Sequence, residues 1–252
     1  MTFGSLLALF GFGLLVAKVV VTKKVSNMSM KTLQAYALVF AARLSSILFY
    51  EGYLPFDRSG DWYYQAQEGA ALALALGLLA AMGFVYPRSY ARAQDRFGVP
   101  GVIPNEAGVL VLVLPALALA AVLHPSLNNN WYTDTAWAFA LYLEAIAIYP
   151  QLYMFYAPAP GSGAGAEIEP FELNFVFALA VGRLCHFVFW LSSYQELNDR
   201  ASADFGKKFP GHLVVLSQVR AGVARGAPGA RRGRGARLFI PRPPSPPTPA
   251  DC

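Results

Sequence analysis

The sequence has few charged residues and almost no cysteine. Only 14% of its 252 residues are charged, whereas about 25% are charged in an average soluble domain, and 56% are hydrophobic. This composition excludes an ordinary soluble globular protein and indicates a membrane protein. The two cysteines, Cys185 and Cys252, cannot form a disulfide framework and match no metal-binding spacing. We therefore predict no metal site and no cofactor.

The chain also lacks the residue patterns of catalysis and of nucleic-acid binding. The polar positions hold no nucleophile-base pair and no phosphate-binding loop, so we predict that the protein is not an enzyme. The net charge of +5 belongs to the C-terminal tail, because residues 200–252 hold ten of the twenty Lys and Arg but only two of the fifteen acids. An Arg/Gly-rich tail can bind nucleic acid, but beside a membrane region we predict no such partner.

Six runs of mostly apolar residues follow one another along the chain. The fifth run is long enough, at about 1.5 Å per residue, to cross a hydrocarbon core about 30 Å thick. The predicted fold class is an all-α membrane protein, a multi-pass helical bundle of six spans. The first run resembles a retained signal anchor, since no cleavage site follows it. The runs are Leu6 to Val21, Leu33 to Tyr50, Ala70 to Tyr86, Ala107 to Leu123, Thr135 to Tyr156 and Leu173 to Tyr194.

The basic residues of the connecting segments predict the orientation of the bundle. Cytosolic loops carry an excess of Lys and Arg. The first and third connecting segments are rich in these residues, whereas the second has one arginine and the fourth has none. The N-terminus and the second and fourth segments are therefore predicted to be lumenal. The residues that predict the two cytosolic loops are Lys23, Lys24, Lys31, Arg88, Arg92 and Arg96.

A change of composition divides the chain into two regions. Residues 1–199 form the predicted transmembrane bundle. Residues 200–252 are rich in Gly, Arg and Pro and hold too few apolar residues to fold or to span, so we predict a basic disordered tail. Six spans would place this tail in the lumen, against the charge rule. A seventh helix that is missing from the chain would resolve the conflict.

Three charged residues interrupt separate apolar runs: Arg43, Glu144 and Arg183. A charge at the centre of a membrane costs about 2.5 to 3.5 kcal/mol on insertion scales unless it is paired, protonated or next to water. We therefore predict that the three share one interior site. Two cations and one anion leave one positive charge, which an anionic ligand would balance. The alternative is a buried ion pair that only fixes the register of the helices.

Helical spacing places further polar and aromatic residues on the faces that carry these charges. Asp134, Trp137 and Glu144 lie along one face of the fifth span, and Arg183, His186 and Trp190 follow i, i+3, i+7 on the sixth. For the aromatic residues, packing between helices is favoured over ligand contact. For His186, a buried hydrogen bond and a pH-sensing role both stay open, because histidine titrates near neutral pH.

At these residues the sequence resembles the ER lumen protein-retaining receptors, the KDEL receptor family, and in particular its divergent plant and algal branch. The stretches that carry the resemblance are KTLQAYALVFAARL, NNNWYTDTAWAF after an HPS loop, YLEAIAIYPQL and IEPFELNFVFALAVGRLCHFVFW. The resemblance covers about half of the chain. Its C-terminal region is atypical for the family.

The resemblance implies a seven-helix bundle in the ER and Golgi membranes that binds the C-terminal tetrapeptide of escaped ER lumenal proteins at the lower pH of the Golgi. It implies that Arg43 receives the terminal carboxylate of the peptide. Vesicle coat proteins are a further partner if a return signal exists. The positions that match ligand-binding or cavity residues of the family, or that face the same cavity, are Arg43, Asp134, Trp137, Glu144, Arg183, His186 and Trp190.

The chain departs from the family pattern at four positions. The first-span histidine linked to pH sensing falls at Ala8, and a second sixth-span arginine falls at Ser193. The acid after the second-span arginine falls at Ser46, and a sixth-span tyrosine falls at His186. His186 is accordingly the candidate proton sensor. Two alternatives stay open: a small-solute transporter of the PQ-loop or SWEET type, and a truncated, inactive family member.

Overall fold

A computed structural model describes residues 2–48, 61–98, 104–124, 130–156 and 168–192. Every regular element in these ranges is helical, which confirms the predicted all-α fold class. A π-helical turn at Ala81–Val85 continues the third helix, and short 3-10 turns lie at Pro87–Ser89 and Asn105–Ala107. The α-helices are α1 (Thr2–Thr22), α2 (Met30–Ile47), α3 (Asp61–Ala80), α4 (Leu110–Val122), α5 (Trp131–Ile146), α6 (Tyr149–Tyr156) and α7 (Pro170–Ser192).

Side-chain caps and one proline set several of the helix boundaries. Ser29 caps α2 by accepting a hydrogen bond from the Thr32 backbone N–H, and Asn130 caps α5 by accepting one from Tyr132. These caps satisfy backbone donors that the first helical turn leaves without partners. The predicted fifth span is divided into α5 and α6, and Pro150 is the second residue of α6. Proline is tolerated in a first turn but not in a helix interior, so the division at residues 147 and 148 suits the sequence.

Four of the described helical segments are long and apolar enough to cross a membrane: Phe3–Thr22, Trp62–Val85, Trp131–Tyr156 and Pro170–Ser192. These segments correspond to the first, third, fifth and sixth predicted spans. The second and fourth predicted spans form α2 and α4, which do not meet the same criteria. α2 is interrupted by polar residues such as Lys31 and Arg43, and α4 has only 13 residues. The described chain is thus a multi-pass helical membrane protein.

The third span begins earlier than predicted. Ala70 was the expected start, but α3 begins at Asp61. Residues 61–69 are polar enough to resemble a loop in sequence, yet they continue the helix, and Gln67 and Glu68 within them are buried. The predicted domain boundary after residue 199, the tail at residues 200–252 and most of the fifth connecting segment lie outside the described residues.

The helices pack as a bundle in which α2 and α5 are largely buried. α1 packs against α7 and α3, α2 packs against α3 and α5, and α4 packs on α5. The Phe12 ring of α1 makes edge contacts with three other rings, at centroid distances of 5.5 Å to Tyr36, 5.3 Å to Phe40 and 5.3 Å to Phe175. These edge-to-face contacts join α1, α2 and α7 in one core.

The first and third connecting segments lie together at one end of the bundle, as the predicted orientation requires. The Asp95 carboxylate accepts hydrogen bonds from Ser29 Oγ at 3.0 Å and from the Met30 backbone N–H at 2.9 Å. Lys31 lies in the first turn of α2 rather than in a loop, and its ammonium donates to the Asp95 backbone oxygen at 2.5 Å. We refer to this as the predicted cytosolic end of the bundle.

The proline-glutamine turn of the fifth span belongs to the same end. Gln151 Oε1 accepts a hydrogen bond from the Ser29 backbone N–H at 2.8 Å, and its Nε2 donates to the Asn27 backbone oxygen at 2.8 Å. The Gln151 backbone N–H donates to Thr32 Oγ1 at 2.9 Å. The glutamine therefore holds the α1–α2 connection against α6.

Candidate functional site

Glu144 lies between two arginines that come from different helices. Arg43 Nη2, from α2, donates directly to Glu144 Oε2. Arg183 Nη1, from α7, lies 3.2 Å from the same oxygen. All three residues are buried. The structure thus brings together the three charges that interrupt separate apolar runs, as the cost of isolated charges in a membrane predicts.

A fourth charged residue completes the cluster, and it was not predicted. Glu68 of α3 accepts a hydrogen bond from Arg43 Nη1 at 3.0 Å, and only 3% of the residue is exposed. In sequence it ends a polar stretch and was assigned to the lumenal loop. The signal that could have identified it is the helical continuation of WYYQAQEGAALALALG, in which a residue two positions before the apolar run still lies on the helix. We call Arg43, Glu68, Glu144 and Arg183 the charge cluster.

The fourth residue changes the charge count. Two guanidinium groups face two carboxylates, so the charge cluster is formally neutral when all four groups are ionised. The prediction that one positive charge is left over is therefore wrong for this cluster, because Glu68 supplies the second negative charge. The acid that the resemblance places in the second span falls at Ser46, whose hydroxyl donates to the Thr133 backbone oxygen at 3.1 Å. Arg43 pairs instead with two acids from other helices, Glu68 of α3 and Glu144 of α5.

The charge cluster lies in the predicted lumenal half of the bundle. Arg43 is four residues before the end of α2, and Glu68 is seven residues after the start of α3. At 1.5 Å per residue these positions are about 6 Å and about 10 Å from the lumenal ends of their helices. Glu144 is thirteen residues after the start of α5 and is therefore the deepest of the three by this measure.

The predicted aromatic residues of α5 and α7 pack against each other. The Trp137 and Trp190 rings are edge to face, with centroids 6.0 Å apart and an interplanar angle of 82°. Both tryptophans are buried. This contact joins the two helices that carry Glu144 and Arg183, and it provides a rigid apolar wall beside the charges.

His186 lies one turn from Arg183 on α7 and packs against the N-terminal turn of α1. Its Nε2 lies 3.3 Å from Ser5 Oγ. Only 5% of the residue is exposed. The structure therefore supports a buried hydrogen bond, and the pH-sensing role stays a prediction.

Asp134 lies in the first turn of α5, where acidic side chains are favourable. It is buried, with 2% exposure. Ten residues separate it from Glu144, which corresponds to about 15 Å along the helix. Asp134 therefore marks the lumenal end of the polar face of α5.

The chemistry of the charge cluster suits the recognition of a carboxylate. A guanidinium group binds a carboxylate through two parallel hydrogen bonds, and the interaction is stronger where water is excluded. Arg43 already makes such charged hydrogen bonds with Glu68 and Glu144. The Arg43 guanidinium group is thus buried and held in a fixed orientation by two carboxylates.

The fold and this cluster together define a multi-pass helical membrane protein with a buried charged site between its spans. Within that class, the chain belongs to the ER lumen protein retaining receptor family, because the family model matches residues 24–193. The matched region contains α2 to α7 and therefore all four residues of the charge cluster.

Individual relatives agree with this assignment at modest identity. An ER lumen protein-retaining receptor of Petunia hybrida is 28% identical over 182 residues, which cover 71% of this chain and 72% of that protein. ER lumen protein-retaining receptor B of Arabidopsis thaliana is 26% identical, with coverage of 71% and 72%. Receptor 3 of Mus musculus is 25% identical, with coverage of 77% and 78%. These relatives are receptors, and the transporter alternative receives no support from them.

Proposed function

We propose that this protein is a membrane receptor that binds C-terminal retention signals of ER lumenal proteins, of the KDEL or HDEL type, and returns their carriers from the Golgi to the ER. It would reside in the ER and Golgi membranes, and its partners would be the signal peptide, the lipid bilayer and vesicle coat proteins. Family membership supports the receptor class. The convergence of Arg43 and Arg183 on Glu144 is the observation that supports a carboxylate-binding site.

We assign each residue a role that its position supports. Arg43 would bind the terminal carboxylate, Glu144 would hold that guanidinium in place, and Arg183 would hold Glu144. Trp137 and Trp190 would form the apolar wall, and Asp134, at the lumenal end of α5, would face a basic residue of the peptide. His186 would respond to the difference in pH between the compartments.

Peptide binding to the purified full chain tests this proposal. A labelled peptide ending in KDEL should bind more tightly at about pH 5.5 than at about pH 7.4, where histidine loses its proton. Its C-terminal amide should bind at least about tenfold more weakly, because the charged hydrogen bonds to Arg43 are lost. Arg43→Ala should remove the preference for the free carboxylate.

The matched control is Arg88→Ala, which removes an exposed arginine at the predicted cytosolic end. This variant should bind the peptide as the unmodified chain does. Negligible binding at both pH values, or equal binding of the acid and the amide, would contradict the proposed function.

A further inference from the structure

Arg43 is engaged on both sides by carboxylates of the chain itself. Glu144 accepts from Nη2, and Glu68 accepts from Nη1 at 3.0 Å. Each of the two terminal nitrogens of the guanidinium group therefore already donates to a carboxylate. A ligand carboxylate that approaches Arg43 from the side of either glutamate competes with that glutamate for the guanidinium group.

The two carboxylates are not held equally. Glu144 Oε2 is shared by Arg43 and Arg183, which come from two different helices. Glu68 is bound by Arg43 through Oε1, and its Oε2 has no hydrogen-bond partner among the residues that the structure describes, although it is buried. A buried carboxylate oxygen without a partner is costly. Glu68 is therefore the carboxylate that a ligand can displace with the smaller loss.

The net charge of the charge cluster sets a second condition for the binding of a ligand carboxylate. The charge cluster is neutral with both arginines and both glutamates ionised, so a ligand carboxylate would bring one uncompensated negative charge into a buried site. Such a charge is expensive inside a membrane bundle, and it disappears if one carboxylate takes up a proton. Once Glu68 has left Arg43, no other cation among the residues that the structure describes acts on it, whereas Glu144 keeps Arg183.

The other charged groups near Glu68 do not change the conclusion that Glu68, rather than Glu144, is the carboxylate that takes up a proton. Arg43 of α2 and Glu144 of α5 face it directly, and Arg183 and His186 of α7 lie beyond Glu144. The nearest lysine of α1, Lys18, is bound to Glu172. Lys18 lies at the predicted cytosolic end and cannot compensate a charge at Glu68.

We propose that Glu68 is a tethered competitor of the ligand, whose carboxylate leaves Arg43 and takes up one proton from water when a peptide carboxylate binds there. This inference rests on the proposed function. Glu68 acts as a positioning and selectivity residue: it keeps Arg43 satisfied in the absence of ligand and links binding to the supply of protons. Peptide binding is then coupled to proton uptake by Glu68 of α3, independently of His186.

The experiment compares the full chain with Glu68→Gln and Glu68→Asp in binding a labelled KDEL peptide at about pH 5.5 and about pH 7.4. Gln has the shape of Glu but no charge, so Glu68→Gln should bind about tenfold more tightly at the higher pH and should show a smaller pH dependence. Glu68→Asp keeps the carboxylate and should keep the pH dependence. Glu169→Gln is the control, since it neutralises a carboxylate 3.3 Å from Lys18, away from Arg43.

Calorimetry in buffers of different ionisation enthalpy provides a measurement that does not depend on the stability of a variant. The unmodified chain should take up about one proton per peptide bound at the higher pH, and Glu68→Gln should take up fewer. Binding by the unmodified chain without proton uptake, or equal or weaker binding by Glu68→Gln, would overturn this inference alone. An ion pair that is only structural predicts the weaker binding. If neither protein binds the peptide at either pH, the proposed function itself is overturned.

Discussion

At the scale of single residues, the main feature is a carboxylate shared by two arginines. Glu144 is buried within α5, and its charge is balanced by Arg43 and Arg183. A buried ion pair is weak evidence for net stability, because desolvation offsets most of the attraction. Removing one partner is strongly destabilising, because the remaining charge is left in a medium that solvates it poorly.

Replacement of Glu144 by glutamine should therefore destabilise the bundle strongly. Glu144→Gln leaves two guanidinium groups facing each other with Glu68 as the only carboxylate of the charge cluster. We expect a loss of about 3 to 5 kcal/mol in the free energy of unfolding, as for other broken buried pairs. Thermal unfolding in detergent measures it. Glu169→Gln, at a half-buried position, should change stability by less than about 1 kcal/mol, and a loss of that small size for Glu144→Gln would contradict the argument.

The residues of the charge cluster differ in how well the sequence predicts them. Arg43, Glu144 and Arg183 are conspicuous because each stands alone among apolar neighbours. Glu68 is not, because other polar residues surround it in sequence and the helix boundary cannot be read within a few residues. The partner of a buried charge depends on which helices are adjacent, and that is a property of tertiary packing. The prediction of a spare cation failed for this reason.

At the scale of helices, the close approach of α1 and α7 depends on two glycines. A Cβ atom at Gly4 would lie 2.6 Å from His186 Cδ2 and 2.8 Å from the Gly182 backbone oxygen. A Cβ atom at Gly182 would lie 2.7 Å from the Gly4 backbone oxygen. Small residues of this kind allow membrane helices to pack backbone to backbone. The contact also fixes His186 against α1, close to the residues of the charge cluster.

Substitution of Gly4 should thus separate α1 from α7. In Gly4→Ala the new methyl group collides with a backbone atom that cannot rotate away, and we expect a loss of about 1 to 3 kcal/mol in stability, as for other overpacked sites. Gly13→Ala on the same helix is the matched control, because a Cβ atom there meets nothing within 4 Å. Thermal unfolding of the two variants makes the comparison. Equal melting temperatures would show that α1 and α7 are not held at this distance.

The helices themselves were predicted more accurately than their ends. Apolar runs predicted all six regions that became helical, because the requirement to satisfy backbone groups in lipid leaves few other structures. The early start of α3 was missed, since polar residues in a first helical turn resemble a loop. The division of α5 from α6 follows from Pro150, although the sequence alone gave this proline no structural role.

At the scale of the whole molecule, a second buried ion pair joins the first and last described helices. Lys18 of α1 is bonded to Glu172 of α7, and both side chains are fully buried. Lys18 Nζ also donates to the Ser26 backbone oxygen at 2.7 Å and lies 3.3 Å from Glu169 Oε2. This pair is at the predicted cytosolic end, whereas the charge cluster is in the lumenal half. The bundle is therefore held by ionic contacts on both sides of its apolar centre.

A double-mutant cycle tests whether the ion pair between Lys18 and Glu172 stabilises the packing of α1 against α7. Lys18→Met leaves Glu172 without its cation, and Glu172→Leu leaves Lys18 with only the half-buried Glu169, so each single variant should lose about 3 to 5 kcal/mol of stability. In the double variant no fully buried charge is left uncompensated, since Glu169, which also loses Lys18, is half-buried, and replacement of a buried ion pair by apolar residues is often neutral. We expect it to unfold within about 1 kcal/mol of the unmodified chain, which gives a coupling energy of several kcal/mol. If the two losses simply add, Lys18 and Glu172 act independently, and the joining of α1 to α7 depends on the glycine contact and the aromatic core alone.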